Sequence, residues 1–573
     1  MKEHRVKGWW FIRLALTIVG KKGIGELTKA SKNARKAQEK TLRGFLVAAK
    51  ETVYGKEHHF EDILTAKSPE ELFALYRKWV PINDYEALRP YIDRHKKGES
   101  DVLFPGKPKM YATTSGTTNE PKWIPITERY YQEVYKVMNQ LWFYTLIMNK
   151  PKVFYGKTLS IVGKAIEGAA PDGTLYGSIS GISQRDIPGF MEVLHPAPAD
   201  VFHIPDYKAR YYAIMRMGIE QDITLIITAN PSTLIEMQNN ANEFYDEYVQ
   251  DIAEGTLSRR LPIPDAIRTA LEARLKPNPE RAAELRALKA QYGRVLPKHY
   301  WPHMQVVNVW FCGNTKIFFE KVKDSFAETC VFHEMGYFAT ECRPGIVLKS
   351  NSPDTVIFGH KVFFEFIHES ELESKDPHIY RMDEVQQGER YCMIVTTSAG
   401  LYRYNMNDLV EITGFVNEFP TLKLIQKVNG TVNITGEKLH ERQFVEAVHA
   451  AEKETGNRVA FFIGFADTSQ VVYRFYYEFV NADITQEKAE NFTRVLDGYL
   501  KQYNIEYEAK RSSNRLKEPE TARLVKESFE KFKSTCIDQG YRDGQFKLNL
   551  LMQDEKRHAM FKELVYMEER KGS

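Results

Sequence analysis

Thr113-Thr114-Ser115-Gly116-Thr117-Thr118-Asn119-Glu120-Pro121-Lys122 sets five hydroxyl side chains around one glycine and closes on a Pro-Lys pair. Such a run makes a poor helix, and Gly116 interrupts it as a strand. It suits an anion instead. Glycine lets backbone N–H groups turn toward one point, hydroxyls add donors without bulk, and Lys122 adds positive charge. The natural target is a phosphate chain. No Walker-type Gly-x-x-x-x-Gly-Lys-Ser/Thr spacing is present. The same composition also describes an ordinary surface loop, so the rest of the chain has to decide.

Downstream, an apolar-periodic helix is expected from Thr127 to Met148, and a helix start would add partial positive charge near a phosphate. Residues 158–164 and 223–228 are apolar on both faces, as buried parallel strands are, with helical periodicity between them. Gly177-Ser178-Ile179-Ser180-Gly181 is a second small-residue loop or simply a turn. Residues 256–296 are charged and Ala-rich and read as a surface helical insertion. Val306 to Phe311 reads as a buried strand running into Cys312-Gly313-Asn314, where Gly313 allows close backbone approach. Ligands of α/β sheets sit at such strand ends. Tyr337-Phe338-Ala339-Thr340-Glu341 then offers an aromatic face, a hydroxyl and a carboxylate within five residues. A nucleotide–Mg²⁺ site needs those three types, although a capped strand end uses them as well. Residues 356–415 alternate as antiparallel strands. Asp408, just before an apolar run, can accept ribose hydroxyls or occupy a β-turn.

Upstream, residues 9–55 read as helical. Residues 1–50 hold thirteen Lys/Arg against three Asp/Glu, a balance of +10, while the whole chain of 573 residues carries only +3. A basic amphipathic helix with the Trp9-Trp10 pair can lie on an anionic membrane surface; a helix packed on its own domain with a solvated basic face is the favoured reading. The run Trp9 to Val19 is too short and too interrupted by Arg13 to span a bilayer or serve as a signal peptide. The small net charge carries no nucleic-acid signature. Five scattered cysteines show no zinc or disulfide spacing and read as reduced thiols in a cytoplasmic setting.

The chain exceeds what one core usually supports. Lys427-Val428-Asn429-Gly430 reads as a joint. Beyond it a helix near 440–455, strands 458–465 and 471–480, helices 485–502 and 518–540, and a strand 546–552 make a small domain. The expected class is α/β: a large N-terminal domain with α/β sheets and an antiparallel β region over 1–426, including a basic helical segment 1–55, and a mobile α+β C-terminal domain over 427–573.

The order of these motifs resembles the auxin-responsive Gretchen Hagen family of acyl acid–amido synthetases, within the adenylate-forming superfamily. The hydroxyl-rich loop ending in Lys122-Trp123-Ile124-Pro125 resembles the family's first motif, Tyr337 to Glu341 its second and Tyr402 to Asp408 its third. Gln545-Phe546-Lys547 resembles the place of the superfamily's adenylation lysine. The resemblance implies ATP-dependent activation of a small carboxylic acid as an acyl-adenylate, with Mg²⁺, then transfer to an amine, an amino acid above all. It implies Thr114, Ser115, Gly116, Thr117, Thr118 and Lys122 around the phosphates, with Gly313 lining the nucleotide site. Tyr337 would face adenine, Thr340 the α-phosphate or acyl carboxylate, Glu341 the metal and Asp408 the ribose. Lys547 would swing in for adenylation. Two positions depart from the family pattern: Asn405 and Asn407 stand where Arg and Gly are usual. Asn tolerates positive φ, whereas Asn405 removes a cation, with Arg403 two residues away. The rival readings are a same-fold acid–thiol ligase of the CoA type and a catalytically weak membrane-surface or scaffold protein.

Overall fold

The structure, a computed structural model, describes residues 5–114, 122–162, 165–312, 315–372, 374–428, 431–435, 437, 439–512, 516–538 and 548–566. The chain divides into two compact units, Met1–Ile425 and Gln426–Ser573.

The larger unit opens with helices Trp9–Ala30 and Ala34–Ala49. The long basic helix expected from sequence is broken at residues 31–33, where Asn33 accepts the Lys36 N–H and starts a new helix. Helices Pro69–Trp79 and Tyr85–Lys96 follow, capped by Ser68 and Asp84. Ala34–Ala49 packs on Phe363–His368 of a seven-stranded sheet whose strands lie in the order Ile379–Arg381, Phe363–His368, Arg390–Thr396, Tyr404–Val416, Phe419–Lys427, Thr355–Ile357 and Gly345–Val347. Gln38 shows the tie: its amide donates to the Gly359 and Val362 carbonyls and accepts the Phe364 N–H.

A second core surrounds a parallel sheet of Lys157–Ile161, Ile223–Thr228, Val306–Asn308 and Val331–His333, adjacent in chain order. All six residues of Ile223–Thr228 are buried, as a strand covered on both faces requires. The strand expected over 223–228 is present at those bounds, while 158–164 becomes Lys157–Ile161 and 306–311 becomes Val306–Asn308. Residues 256–296 are less superficial than their charge suggests. Leu271, Ala282 and Leu285 are fully buried in this core, and the buried Arg281 guanidinium donates to the Ile219 and Tyr300 carbonyls.

In the smaller unit, Val459–Asp467 and Val472–Phe479 pair antiparallel, flanked in parallel by Leu551–Met552 and Glu520–Arg523. Helices Glu441–Thr455 and Gln486–Tyr503 pack together. The helix expected over 518–540 is a strand, Glu520–Arg523, then a helix, Ser528–Asp538. The edge of the sheet captures the first segment, so pairing overrides a local preference for helix.

Candidate active site

Three segments of the larger unit converge, and each is delivered by a junction in the fold. The hydroxyl-rich stretch joins two antiparallel strands, Met110–Thr114 and Lys122–Ile126, whose register closes on the pair Thr114↔Lys122. Ser115, Gly116, Thr117 and Thr118 lie outside the described residues, as do Gly313, Gly430 and Lys547. The strand ends fix Thr114 and Lys122, the residues on either side of that stretch. Lys122 Nζ reaches the Tyr404 hydroxyl at 3.5 Å and sits 5.7 Å from the centre of the Tyr85 ring.

The second segment, Glu334 to Arg343, leaves the carboxyl end of the parallel strand Val331–His333 and enters the antiparallel strand Gly345–Val347. It is therefore the bridge between the two sheets. Gly336 has φ +76°, and a Cβ there would sit 2.9 Å from Thr355 Oγ1. That close approach lets the same hydroxyl accept the Tyr337 N–H at 3.0 Å. The Trp310 indole N–H, from the end of the neighbouring parallel strand, donates to the Gly336 carbonyl at 3.0 Å. With its backbone held from both sides, Tyr337 points inward and is 4% exposed. Thr340 and Glu341 follow, half-buried.

The third segment is a bulge. Across the pairing of Arg390–Thr396 with Tyr404–Val416, the step from Cys392 to Ile394 is matched by the longer step from Leu409 to Asn405. The extra residues are accommodated by Asn407 at φ +54°. Asn405 Oδ1 accepts the Asn407 N–H at 2.8 Å and the Cys392 thiol at 3.2 Å. Asn405 thus braces the turn that presents Asp408, and Asn407 supplies the left-handed residue, which asparagine tolerates. A bulge re-aims a side chain; here Asp408 Oδ2 accepts the Tyr337 hydroxyl at 2.5 Å. Burial, and then the Asp408 charge, push the Tyr337 phenol well up. Burial, then the charge of Glu341, do the same for Tyr404. Lys122, Tyr404, Glu341, Tyr337 and Asp408 are thereby one neighbourhood.

Arg403 does not replace the cation absent at Asn405. It is buried, paired with Glu365 at 2.8 Å and donating to the Val80 carbonyl. Glu365 also takes Arg77 at 2.9 Å.

Two groups carry no sequence signal. Glu334, 4% exposed, accepts the Phe311 N–H at 2.8 Å, and burial raises its carboxyl to about 7. Arg343, 5% exposed, donates to Asn139 and lies 5.0 Å from the Phe338 ring centre, 5.8 Å from Trp142 and 6.0 Å from Tyr135. Its Nε has no hydrogen-bond partner, and no carboxylate pairs with it among the described residues. Desolvation lowers its pKa. A buried cation without a counter-charge is costly and suits a site that receives an anion. Tyr135 reaches this box from a π-helical segment, Tyr131–Lys136, inside the helical run after Thr127. Such π segments are frequent at functional sites. Among the described residues no group of three or more His, Cys, Asp or Glu could hold a metal by itself.

Three family models match: the GH3 family N-terminal domain over residues 23–331, its central domain over 355–427 and its C-terminal domain over 442–556. The indole-3-acetic acid-amido synthetase GH3.3 of Arabidopsis thaliana is 23% identical over 555 residues, covering 92% of this chain and 91% of that protein. The jasmonoyl–L-amino acid synthetase JAR4 of Nicotiana attenuata is 26% identical over 448 residues, 75% of each. Among solved structures, the GH3.15 acyl acid amido synthetase superposes with a TM-score of 0.82 at 19% identity, over 95% of this chain and 96% of that one. A 2-hydroxyisobutyryl-CoA ligase in complex with its acyl-adenylate gives 0.54 at 13% identity, over 92% of this chain and 91% of that one.

Proposed function

The chain belongs to the GH3 family, and from that premise we infer an ATP-dependent acyl acid–amido synthetase that joins a small carboxylic acid to an amine, an amino acid above all. The observation that carries the reading is the meeting of Tyr337, Asp408, Glu341, Tyr404 and Lys122 at the junction of the two sheets.

A carboxylate is a poor electrophile. Its oxygen attacks the α-phosphorus of ATP, pyrophosphate leaves, and the acid becomes a mixed anhydride with AMP. An amine in its neutral form then attacks the acyl carbon, the C–N bond forms, the acyl–phosphate bond breaks to release AMP, and the amine nitrogen gives up one proton to solvent. The protein's part is mainly positioning and fixed charge. A carboxylate has two oxygens with several lone pairs, so Asp408 can hold the Tyr337 phenol and a ribose hydroxyl together. Tyr337 sets the adenine side, and the 114–118 stretch with Lys122 takes the phosphates. Thr340 faces the α-phosphate or the acyl carboxylate. Gly313 lines the nucleotide site, and Lys547 supplies a cation for adenylation from the carboxyl-terminal region, 427–573.

Mg²⁺ fits this donor set. It is commonly held by one or two carboxylates together with substrate phosphates, and the half-buried Glu341 beside Tyr404 offers such a carboxylate. When bound, the ion would neutralise charge on the phosphate oxygens. We place Arg343 at the acid, where a carboxylate would supply its missing counter-charge. The remaining partner is a membrane surface, met peripherally through residues 1–50 of a protein working in the cytoplasm.

Acid-dependent ATP–pyrophosphate exchange tests the first half of the reaction. Exchange with at least one member of a broad acid panel is expected. Absence of exchange with every acid would instead favour the scaffold reading.

A further inference from the structure

The helix Trp9–Ala30 presents two apolar faces, one buried against its own domain and one largely exposed among the described residues. On the inner face Ile12, Leu16, Gly20, Gly23 and Leu27 are buried. The glycines set how closely the helix lies on Val137–Asn149: a Cβ at Gly20 would fall 2.1 Å from the Tyr144 ring, and one at Gly23 2.5 Å from Leu141. Leu14 and Gly23 are nine residues apart, about two and a half turns, so fixing the glycines inward fixes Leu14 outward. Trp10, Leu14 and Ile18, spaced i, i+4, i+8, are 60%, 50% and 62% exposed, and Phe11 beside them 48%. The Trp pair divides between the faces, for Trp9 packs on Tyr155 at 4.2 Å.

The outer stripe continues onto a distant element. Phe11 meets Phe190 edge-on at 5.6 Å. Phe190 and Val193 face outward from the turn Gly189–Leu194, while Met191 and Leu194 face the core. Contiguous exposed apolar surface of this kind marks an interaction site. Its surroundings are cationic. Lys7 precedes the stripe, Lys21 and Lys22 follow it, and all three are exposed. Residues 5–30 hold six Lys/Arg and one acid, Glu26.

We propose that this face docks on an anionic lipid bilayer, with Trp9–Ala30 lying in the plane of the surface; this gives the membrane contact assigned to residues 1–50 a defined site. Apolar side chains with an interfacial Trp enter the headgroup boundary, and the bracketing lysines meet lipid phosphate. The charge selects a bilayer over a second copy of the chain, since two such faces would oppose their lysines.

The test floats the full chain with phosphatidylcholine vesicles, with and without phosphatidylglycerol. Flotation is expected only with the anionic lipid and is expected to weaken as salt rises. Leu14→Ser/Ile18→Ser and, separately, Lys21→Glu/Lys22→Glu should each lower the bound fraction by about tenfold or more. Ile505→Ser, at an exposed apolar residue of the other unit, should leave it unchanged. Pyrophosphate exchange should persist in all three, so lost flotation is separable from a lost ligase. Equal flotation of the lysine variant and the parent would overturn the proposal. So would equal binding to neutral vesicles, or a parent dimer that the serine variant splits.

Discussion

Asp408 owes its position to two asparagines and its partner to a glycine turn, and it is buried. Removing it leaves the Tyr337 hydroxyl buried without that acceptor and, on the proposed function, the nucleoside without its anchor. Asp408→Ala should cut pyrophosphate exchange by about tenfold to a hundredfold, the cost of one charge-assisted hydrogen bond, chiefly by raising the KM for ATP. Arg343→Met should raise the KM for the acid and leave that for ATP nearly unchanged; the reverse pattern would move Arg343 to the nucleotide. Glu334 makes a prediction about pH. Its carboxyl titrates near 7 in the folded chain, against about 4.3 when unfolded. The folded state therefore keeps a proton that the unfolded state releases. Stability from this group is full below the unfolded value and is lost as pH rises toward 7, by about 4 kcal/mol in all. Glu334→Gln, which keeps an oxygen for the Phe311 N–H, should flatten that part of the stability–pH curve. Denaturant titrations at pH 5 and pH 8 would measure the difference between parent and variant.

The bulge at 405–408 shows what sequence could and could not reveal at the scale of an element. Asn407 was readable as a residue at home with positive φ, and φ +54° is what the backbone adopts. The brace made by Asn405 was not readable. Its oxygen meets Cys392 across the strand pair, a contact set by register rather than spacing. Asn405→Ala should therefore destabilise the larger unit by about 1 kcal/mol and weaken ATP, with the loss appearing in thermal unfolding as well as in KM. Strand character was legible at 158–164 and 223–228 because burial on both faces favours short runs rich in Leu, Ile, Val and Thr. Glu520–Arg523 carries no such run, and its pairing with Val472–Phe479 comes from an edge supplied elsewhere in the chain. Likewise, the amino-terminal helix announced its basic residues but not the glycine seat that sorts its faces. Gly20→Ala would press a methyl into Tyr144 and should cost about 1–3 kcal/mol through overpacking.

For the whole molecule, motif order carried more than any single motif. The hydroxyl-rich stretch was ambiguous alone, and its central residues lie outside the described part of the structure. Its ends, Thr114 and Lys122, close a strand pair whose lysine reaches Tyr404 on the strand that carries Asp408. Residues distant in sequence but fixed by sheet topology thus make one site, while Arg343 and its aromatic box stayed invisible because two segments about two hundred residues apart build it. The central claim is amide formation through an acyl-adenylate, and the same fold also serves thiol ligation. The direct measurement is mass spectrometry of products formed from ATP, an acid panel and, in parallel, amino acids or CoA. The account predicts an acid–amino acid conjugate with equal AMP and pyrophosphate, lost in Asp408→Ala. A thioester with CoA, and no amide with any amine, would contradict it.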